Sequence, residues 1–203
     1  IGVVLALGLV AGCGTDEKPY VERPVEELYN AAMDHLAAEE WQPAAKAFEE
    51  VERQHPYSTW ATKAQLLNAF ALYQANKYDE AVLAAQRFAQ LYPGNKDAAY
   101  AYYLIAISHY EQISDVGRDQ RATQQALAAL EEVVRRFPNS EYARDARLKI
   151  DLTRDHLAGK EMEVGRFYLR RGQTVAAINR FRSVVEKYQT TSHLPEALHR
   201  LTE

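Results

Sequence analysis

The spacing of apolar residues changes twice along the chain and divides it into three parts. Residues 1–12, IGVVLALGLVAG, carry no charge, and residues 13–24 are polar and contain Pro19 and Pro24. From Val25 onward, apolar side chains recur with the roughly 3.6-residue period of amphipathic helices as far as Glu203. The pattern therefore predicts an all-α domain over residues 25–203, preceded by a flexible tether over residues 13–24.

The helical part contains an internal repeat. Each unit carries a small residue, an aromatic residue, an alanine, a further apolar residue and a proline, and the first two units are 37 residues apart. These positions are Ala32, Trp41, Ala44, Phe48 and Pro56 in the first unit, and Ala69, Tyr78, Ala81, Ala85 and Pro93 in the second. The small position recurs at Ala106 and Gly165, and the alanine recurs at Ala126 and Ala177.

This order of residues resembles the tetratricopeptide (TPR) repeat, a pair of antiparallel helices. The small residue allows the two helices to cross closely, and the proline ends the second helix because it cannot donate a backbone hydrogen bond. We therefore expect a TPR superhelix of four repeats over residues 25–203, with the chain reaching the first helix of a fifth repeat.

Two longer spacings interrupt the repeat. Eight extra residues lie between Pro93 and Pro138, in the charged stretch 114–123, and predict a surface loop between two helices. Fourteen extra residues precede Gly172 in a stretch without proline. Because that length is close to four helical turns, we expect one long helix over about residues 140–171.

The single cysteine, Cys13, lies where the apolar segment ends, and no second cysteine is present for a disulfide. Twelve apolar residues are too few to span a bilayer but match the core of a secretory signal. The residues Val10-Ala11-Gly12-Cys13 resemble the lipobox of bacterial lipoproteins. This resemblance implies that residues 1–12 are the remnant of a signal peptide and that Cys13 carries covalent lipid that anchors the protein in a membrane.

Composition and motifs argue against several functions. The formal net charge of -4 gives no electrostatic reason to expect nucleic-acid binding. The six histidines form no pair with metal-ligand spacing, and the chain contains no HExxH, GxSxG or P-loop motif. We therefore expect no enzyme activity, no metal and no cofactor other than the lipid on Cys13.

The whole stretch from Cys13 to Glu203 resembles the BamD (ComL) family of TPR lipoproteins of the outer-membrane β-barrel assembly machinery. The resemblance is carried by HPYSTWATKAQLLNAFALYQANKYDEAVLAAQRFAQLYPGNK, by RFPNSEYARDARLKIDLTRDHLAGKEMEVGRFYLRRGQ, by the lipobox, and by the predicted loop and long helix. It implies a location on the periplasmic face of the outer membrane. It also implies binding to the periplasmic domains of BamA, to other Bam lipoproteins and to unfolded outer-membrane β-barrel proteins. The resemblance further implies that the pair Asn179-Arg180 lies on the side that faces BamA, although Arg180 could instead be an ordinary surface charge.

A binding trough is predicted from the repeat itself. In a TPR array the first helix of each repeat lines the concave face. The residues three before, one after and four after the small position point inward. The predicted trough residues are Tyr29, Met33, Leu36, Leu66, Phe70, Tyr73, Tyr103, Ile107 and Tyr110. Tyrosine-rich apolar surfaces suit peptide capture, although some of these side chains could instead pack against a neighbouring repeat.

Two functional classes stay open at this point. The first is the barrel-assembly scaffold that the family resemblance implies. The second is a different periplasmic TPR lipoprotein that organises peptidoglycan synthesis or cell division. The loop and the long helix favour the first class.

Overall fold

A computed structural model describes residues 22–203, and the apolar segment, Cys13 and most of the predicted tether lie outside these residues. The described residues form nine α-helices. They are α1 (Val25–Ala37), α2 (Trp41–Gln54), α3 (Thr59–Gln74), α4 (Tyr78–Leu91), α5 (Ala98–Glu111), α6 (Arg121–Arg136), α7 (Glu141–Arg170), α8 (Thr174–Lys187) and α9 (Leu194–Thr202). Before α1, the backbone N–H of Arg23 donates to Gln54 Oε1, and its carbonyl oxygen lies 2.7 Å from the His55 ring.

The helices pack in the two-layer order of a TPR superhelix. Each helix packs against the next, and the first helices of successive repeats also contact one another: α1 with α3, α3 with α5, and α5 with α7. The odd-numbered helices therefore form an inner layer, and α2, α4, α6 and α8 form an outer layer. The TPR fold predicted from the repeat is confirmed.

The small positions lie where paired helices cross. Ala32, Ala69 and Ala106 are fully buried, as are the facing alanines of the partner helices. At the fourth small position, a Cβ built on Gly165 would lie 2.5 Å from Cε1 of Phe181 on α8. The aromatic ring therefore occupies the space that a side chain on α7 would need.

Tight turns join the two helices within three of the repeats. Glu39 and Asn76 have φ values of 58° and 59°, and Gly172 has a φ of 71°. The N–H of Gly172 donates to the carbonyl of Leu169, and the next N–H reaches back to Tyr168, which is the Schellman pattern at a helix C-terminus. Glutamate and asparagine thus occupy, 37 residues apart, a backbone conformation that favours glycine.

In the first three repeats, the second helix ends just before a proline. α2, α4 and α6 each end two residues before Pro56, Pro93 and Pro138, respectively. After the first and third of these turns a serine begins the next helix: Ser58 Oγ accepts from Ala61 N–H, and Ser140 Oγ accepts from Ala143 N–H.

The long helix predicted over residues 140–171 is confirmed as α7, a continuous helix of 30 residues. The predicted loop is also present, but its predicted end at residue 123 is wrong because α6 begins at Arg121. Thr123 is buried in the first turn of that helix. The loop is held against α7, since Lys160 Nζ donates to the carbonyl of Gly117 at 2.9 Å.

Candidate functional site: the tyrosine-rich trough

The eight residues named for the trough and Leu36 lie on the inner helices α1, α3 and α5, but they are not equally accessible. Leu66 and Ile107 are only 9% and 7% exposed and belong to the core between the second and third repeats. Met33 is exposed, and the other six are half-buried. The accessible surface is therefore mostly aromatic.

At the N-terminal end, two aromatic residues close the gaps between helices. The ring of Tyr29 lies 4.7 Å from that of Trp60 and 5.8 Å from that of Phe48. The ring of Phe70 meets Trp41 edge-on at 6.2 Å. Tyr29 and Phe70 therefore contribute to packing and present only part of each ring to solvent.

The centre of the trough is a cluster of tyrosines from three inner helices. The ring of Tyr142 on α7 lies 5.4 Å from that of Tyr100 and 5.2 Å from that of Tyr103. Burial raises the pKa of Tyr100 to about 12, with smaller contributions from Tyr142 and Tyr73. Burial also raises the pKa of Tyr73. These phenols are therefore neutral hydrogen-bonding groups at physiological pH.

A charged network joins this cluster to α7. The hydroxyl of Tyr103 donates to Asp145 Oδ2 at 2.5 Å, and Lys149 Nζ lies 2.8 Å from the same oxygen. Lys149 Nζ also lies 5.5 Å from the ring centre of Tyr110. Burial acts to raise the pKa of Asp145, but hydrogen bonds from Lys149 and Tyr103 outweigh it and hold that pKa below its ordinary value. Burial of Tyr103, together with its hydrogen bond to Asp145, raises the pKa of the Tyr103 hydroxyl.

α7 also contributes to this surface, which the repeat pattern did not predict. Tyr142, Asp145 and Lys149 contact the predicted residues, and Leu152 adds an apolar side chain that is 60% exposed. Leu152 shares a surface depression with Tyr110. The available signal was the helical spacing of these residues, which places them on one face of the long helix.

The pair Asn179 and Arg180 lies on α8, in the fourth repeat, and both residues are exposed. They line a surface groove of about 510 Å³ that also includes Tyr168 and Lys187. Arg180 Nη1 pairs with Glu161 of α7 at 3.2 Å. The residues predicted for the trough lie on α1, α3 and α5 of the first three repeats, whereas Asn179 and Arg180 lie on the outer helix of the fourth.

Two further observations concern other kinds of site. Within residues 22–203, no group of three or more histidine, cysteine, aspartate or glutamate side chains could hold a metal ion. None of the helices in this range has the length and apolar character required to cross a bilayer.

Comparison with known proteins identifies close relatives. The sequence model of YfiO, described as an outer membrane lipoprotein, matches residues 21–203. The chain is 58% identical to "Outer membrane protein assembly factor BamD" of Caulobacter vibrioides over all of this chain and 68% of the relative. It is 44% identical to the protein of the same name from Rickettsia prowazekii, over all of this chain and 82% of that relative.

A solved structure is also similar. It is titled "MamA RS-1 ArsTM double mutant", and the match has a TM-score of 0.45 and 17% identity over 80% of this chain and 74% of that one.

Proposed function

This chain belongs to the BamD (YfiO) family of outer membrane lipoproteins, and we propose that it is a non-enzymatic scaffold for inserting β-barrel proteins into the outer membrane. The observation that carries the proposal is the match to BamD assembly factors along the full chain. In this proposal the protein has two ends with different partners. The trough of the first three repeats, with the first half of α7, binds unfolded barrel proteins, and α8 of the fourth repeat binds the periplasmic part of BamA, with other Bam lipoproteins nearby.

The trough supports the substrate end of this proposal. An unfolded barrel protein offers extended segments in which apolar side chains alternate. Such a ligand needs a broad surface with aromatic and aliphatic contacts and a few hydrogen-bonding groups. Tyr73, Tyr110 and Leu152 provide the contacts, and the hydroxyl groups of neutral tyrosines accept or donate hydrogen bonds without a charge that would exclude most sequences.

The groove around Arg180 supports the BamA end. An exposed arginine paired with a partly exposed glutamate can exchange that partner for a carboxylate on another protein with little loss of free energy. The surrounding groove adds Tyr168, and tyrosine and arginine are residues enriched where interfaces bind strongly.

The lipid on Cys13 completes the proposal. A lipid anchor would hold the repeats at the periplasmic face of the outer membrane, and three acyl chains give much stronger anchoring than one. Cys13→Ser is expected to release the protein from the membrane when its partners are absent.

Co-purification tests the proposal most directly. The tethered protein is solubilised from membranes in mild detergent, and its partners are identified by mass spectrometry. Recovery of BamA in stoichiometric amounts would support the proposal. Recovery of cell-wall synthases without BamA would overturn it in favour of the scaffold for peptidoglycan synthesis or division.

A second experiment separates the two ends. Tyr73→Ala is expected to weaken binding of a C-terminal barrel peptide about thirtyfold, the effect of losing an aromatic anchor, and to spare BamA. Tyr57→Ala is the matched control, because Tyr57 is fully exposed and lies outside the trough. Arg180→Glu is expected to do the reverse, with Arg144→Glu on the exposed side of α7 as its control. Equal weakening of both partners by both variants would contradict the two-ended arrangement.

A further inference from the structure

A groove on the outer layer, opposite the trough, has features that neither packing nor the proposed function explains. It lies between α2 and α4, the second helices of the first two repeats, and α3 forms its floor. Its volume is about 480 Å³. We call it the outer groove.

The floor of the outer groove contains a polar atom without a partner. Gln65 is 7% exposed, and its Oε1 is buried and accepts no hydrogen bond. A buried acceptor without a partner destabilises a fold, whereas an apolar side chain of similar size at this position would not. An acceptor that lines a groove, and that folding leaves unused, indicates a donor supplied by a ligand.

Other side chains of the outer groove suit a polypeptide. Asn68, next to Gln65 on the floor, donates to the carbonyl of Ala45 at 2.8 Å, and Gln42 is an exposed amide on the wall. Side-chain amides carry both donors and acceptors, as a peptide backbone does. Leu83 is 67% exposed on the opposite wall and offers an apolar contact.

The charges of the outer groove are divided between its two ends. Lys46 and Lys77 lie towards the end where α2 and α4 begin, with Glu80 paired to Lys77 at 3.1 Å. Glu49 and Glu52 lie towards the other end, where Glu52 pairs with Arg87. One end is therefore net positive and the other net negative. Because α2 and α4 run in the same direction, their helix dipoles add to this difference.

Among the described residues, Lys46 and Glu49 form no ion pair, so one charge of each sign is available to a ligand. Lys46 and Glu49 lie one helical turn apart on the α2 wall, about 5 Å along the helix axis. In an extended chain, side chains two residues apart point to the same side and lie about 7 Å apart, so an acidic and a basic residue at alternate positions can reach both charges.

We propose that the outer groove binds an extended segment of a partner protein with an acidic and a basic residue at alternate positions and an apolar residue between them. The acidic and basic side chains face α2, over Lys46 and Glu49, and the apolar side chain between them faces Leu83 on the opposite wall. A backbone N–H of the segment donates to Gln65 Oε1.

Fluorescein-labelled peptides test this proposal by fluorescence anisotropy at low ionic strength. The probe is Ser-Asp-Leu-Lys-Ser, in which the acidic and basic side chains point to one side and the leucine to the other. The controls are Ser-Lys-Leu-Lys-Ser and Ser-Asp-Leu-Asp-Ser. We expect the probe to bind at least fivefold more tightly than either control. Equal affinity for all three peptides would overturn the proposal.

Variants of the full chain locate the binding site and separate it from folding. Gln65→Met is expected to weaken binding of the probe about fivefold, the effect of one hydrogen bond, while the melting temperature stays the same or rises. Gln90→Met, at an exposed position of α4 outside the groove, is the matched control. Lys46→Glu is expected to shift preference towards the peptide with two lysines. Unchanged affinity of Gln65→Met for the probe would refute the assigned role of Gln65.

Discussion

The contact between Gly165 and Phe181 allows a sharp test of the helix packing. Replacing Gly165 by alanine would place Cβ 2.5, 2.8 and 2.9 Å from three atoms of the Phe181 ring. Carbon atoms in favourable contact are about 3.5–4.0 Å apart, so the ring or the helix must move by roughly 1 Å. Phe181 is 1% exposed and has no solvent-filled space to enter.

The magnitude follows from two opposing effects. Overpacking a buried site costs about 1–3 kcal/mol, and three ring atoms closer than 3.0 Å place Gly165→Ala in the upper part of that range, at about 2–3 kcal/mol. Alanine also stabilises a helix relative to glycine by about 1 kcal/mol. We therefore expect Gly165→Ala to lower the free energy of unfolding by about 1–2 kcal/mol, which lowers the melting temperature by roughly 2–8 °C for a chain of this size.

Gly159 provides a control in the same helix. A Cβ there would lie 3.1 Å from His193 Nε2, the end of a side chain that is 28% exposed and can move. Gly159→Ala is therefore expected to leave stability unchanged or to raise it by up to about 1 kcal/mol.

Urea unfolding and thermal melting, both followed by circular dichroism at the helix band, measure these changes. Combining Gly165→Ala with Phe181→Leu should recover part of the loss, because the two changes act on one contact. The reasoning is refuted if Gly165→Ala is as stable as Gly159→Ala, or if the double variant loses the sum of the two single effects.

Three further predictions rest on other parts of the fold. Ala69→Leu overpacks a fully buried helix crossing and is expected to cost about 1–3 kcal/mol by urea unfolding; an unchanged midpoint would contradict the repeat register. Glu39→Gly is expected to stabilise by about 1 kcal/mol because Glu39 has φ of 58°, and Asn76→Gly should gain less because asparagine tolerates this conformation; equal gains would argue against backbone strain as the cause. Hydrogen bonds from Arg53 lower the pKa of Glu50 from 4.5 to about 2, so its contribution is complete above pH 4.5 and is lost as pH falls through 2. In urea titrations at several pH values, Glu50→Gln should reduce this loss of stability, and an unchanged pH dependence would assign the loss to other carboxylates.

The repeat predicted the fold in detail because each of its positions has one physical role. Alanine at a helix crossing, proline after a second helix and a long stretch without proline are local signals, and each corresponds to a feature of the structure. The one misplaced boundary, the end of the loop at residue 123, lies where charged residues continue into the first turn of α6.

The candidate site was only partly predictable. The 37-residue register located the tyrosines of α3 and α5, but it could not relate them to α7, which departs from that spacing. Asp145 is 42 residues from Tyr103, and their hydrogen bond depends on how α7 packs beside α5. The burial of Leu66 and Ile107 likewise depends on the distance between successive inner helices.

The uninterrupted length of α7 has a mechanical consequence. Its N-terminal half contacts the trough at Asp145, and its C-terminal half contacts the groove of Arg180 at Glu161. These two points are about 24 Å apart along one helix. A pair of shorter helices would absorb an applied tilt at the turn between them. One continuous helix transmits the tilt along its whole length, so a rotation of about 5° around Glu161 displaces Asp145 by about 2 Å. Force applied to α8 therefore reaches the tyrosine cluster as a rigid-body movement of α7.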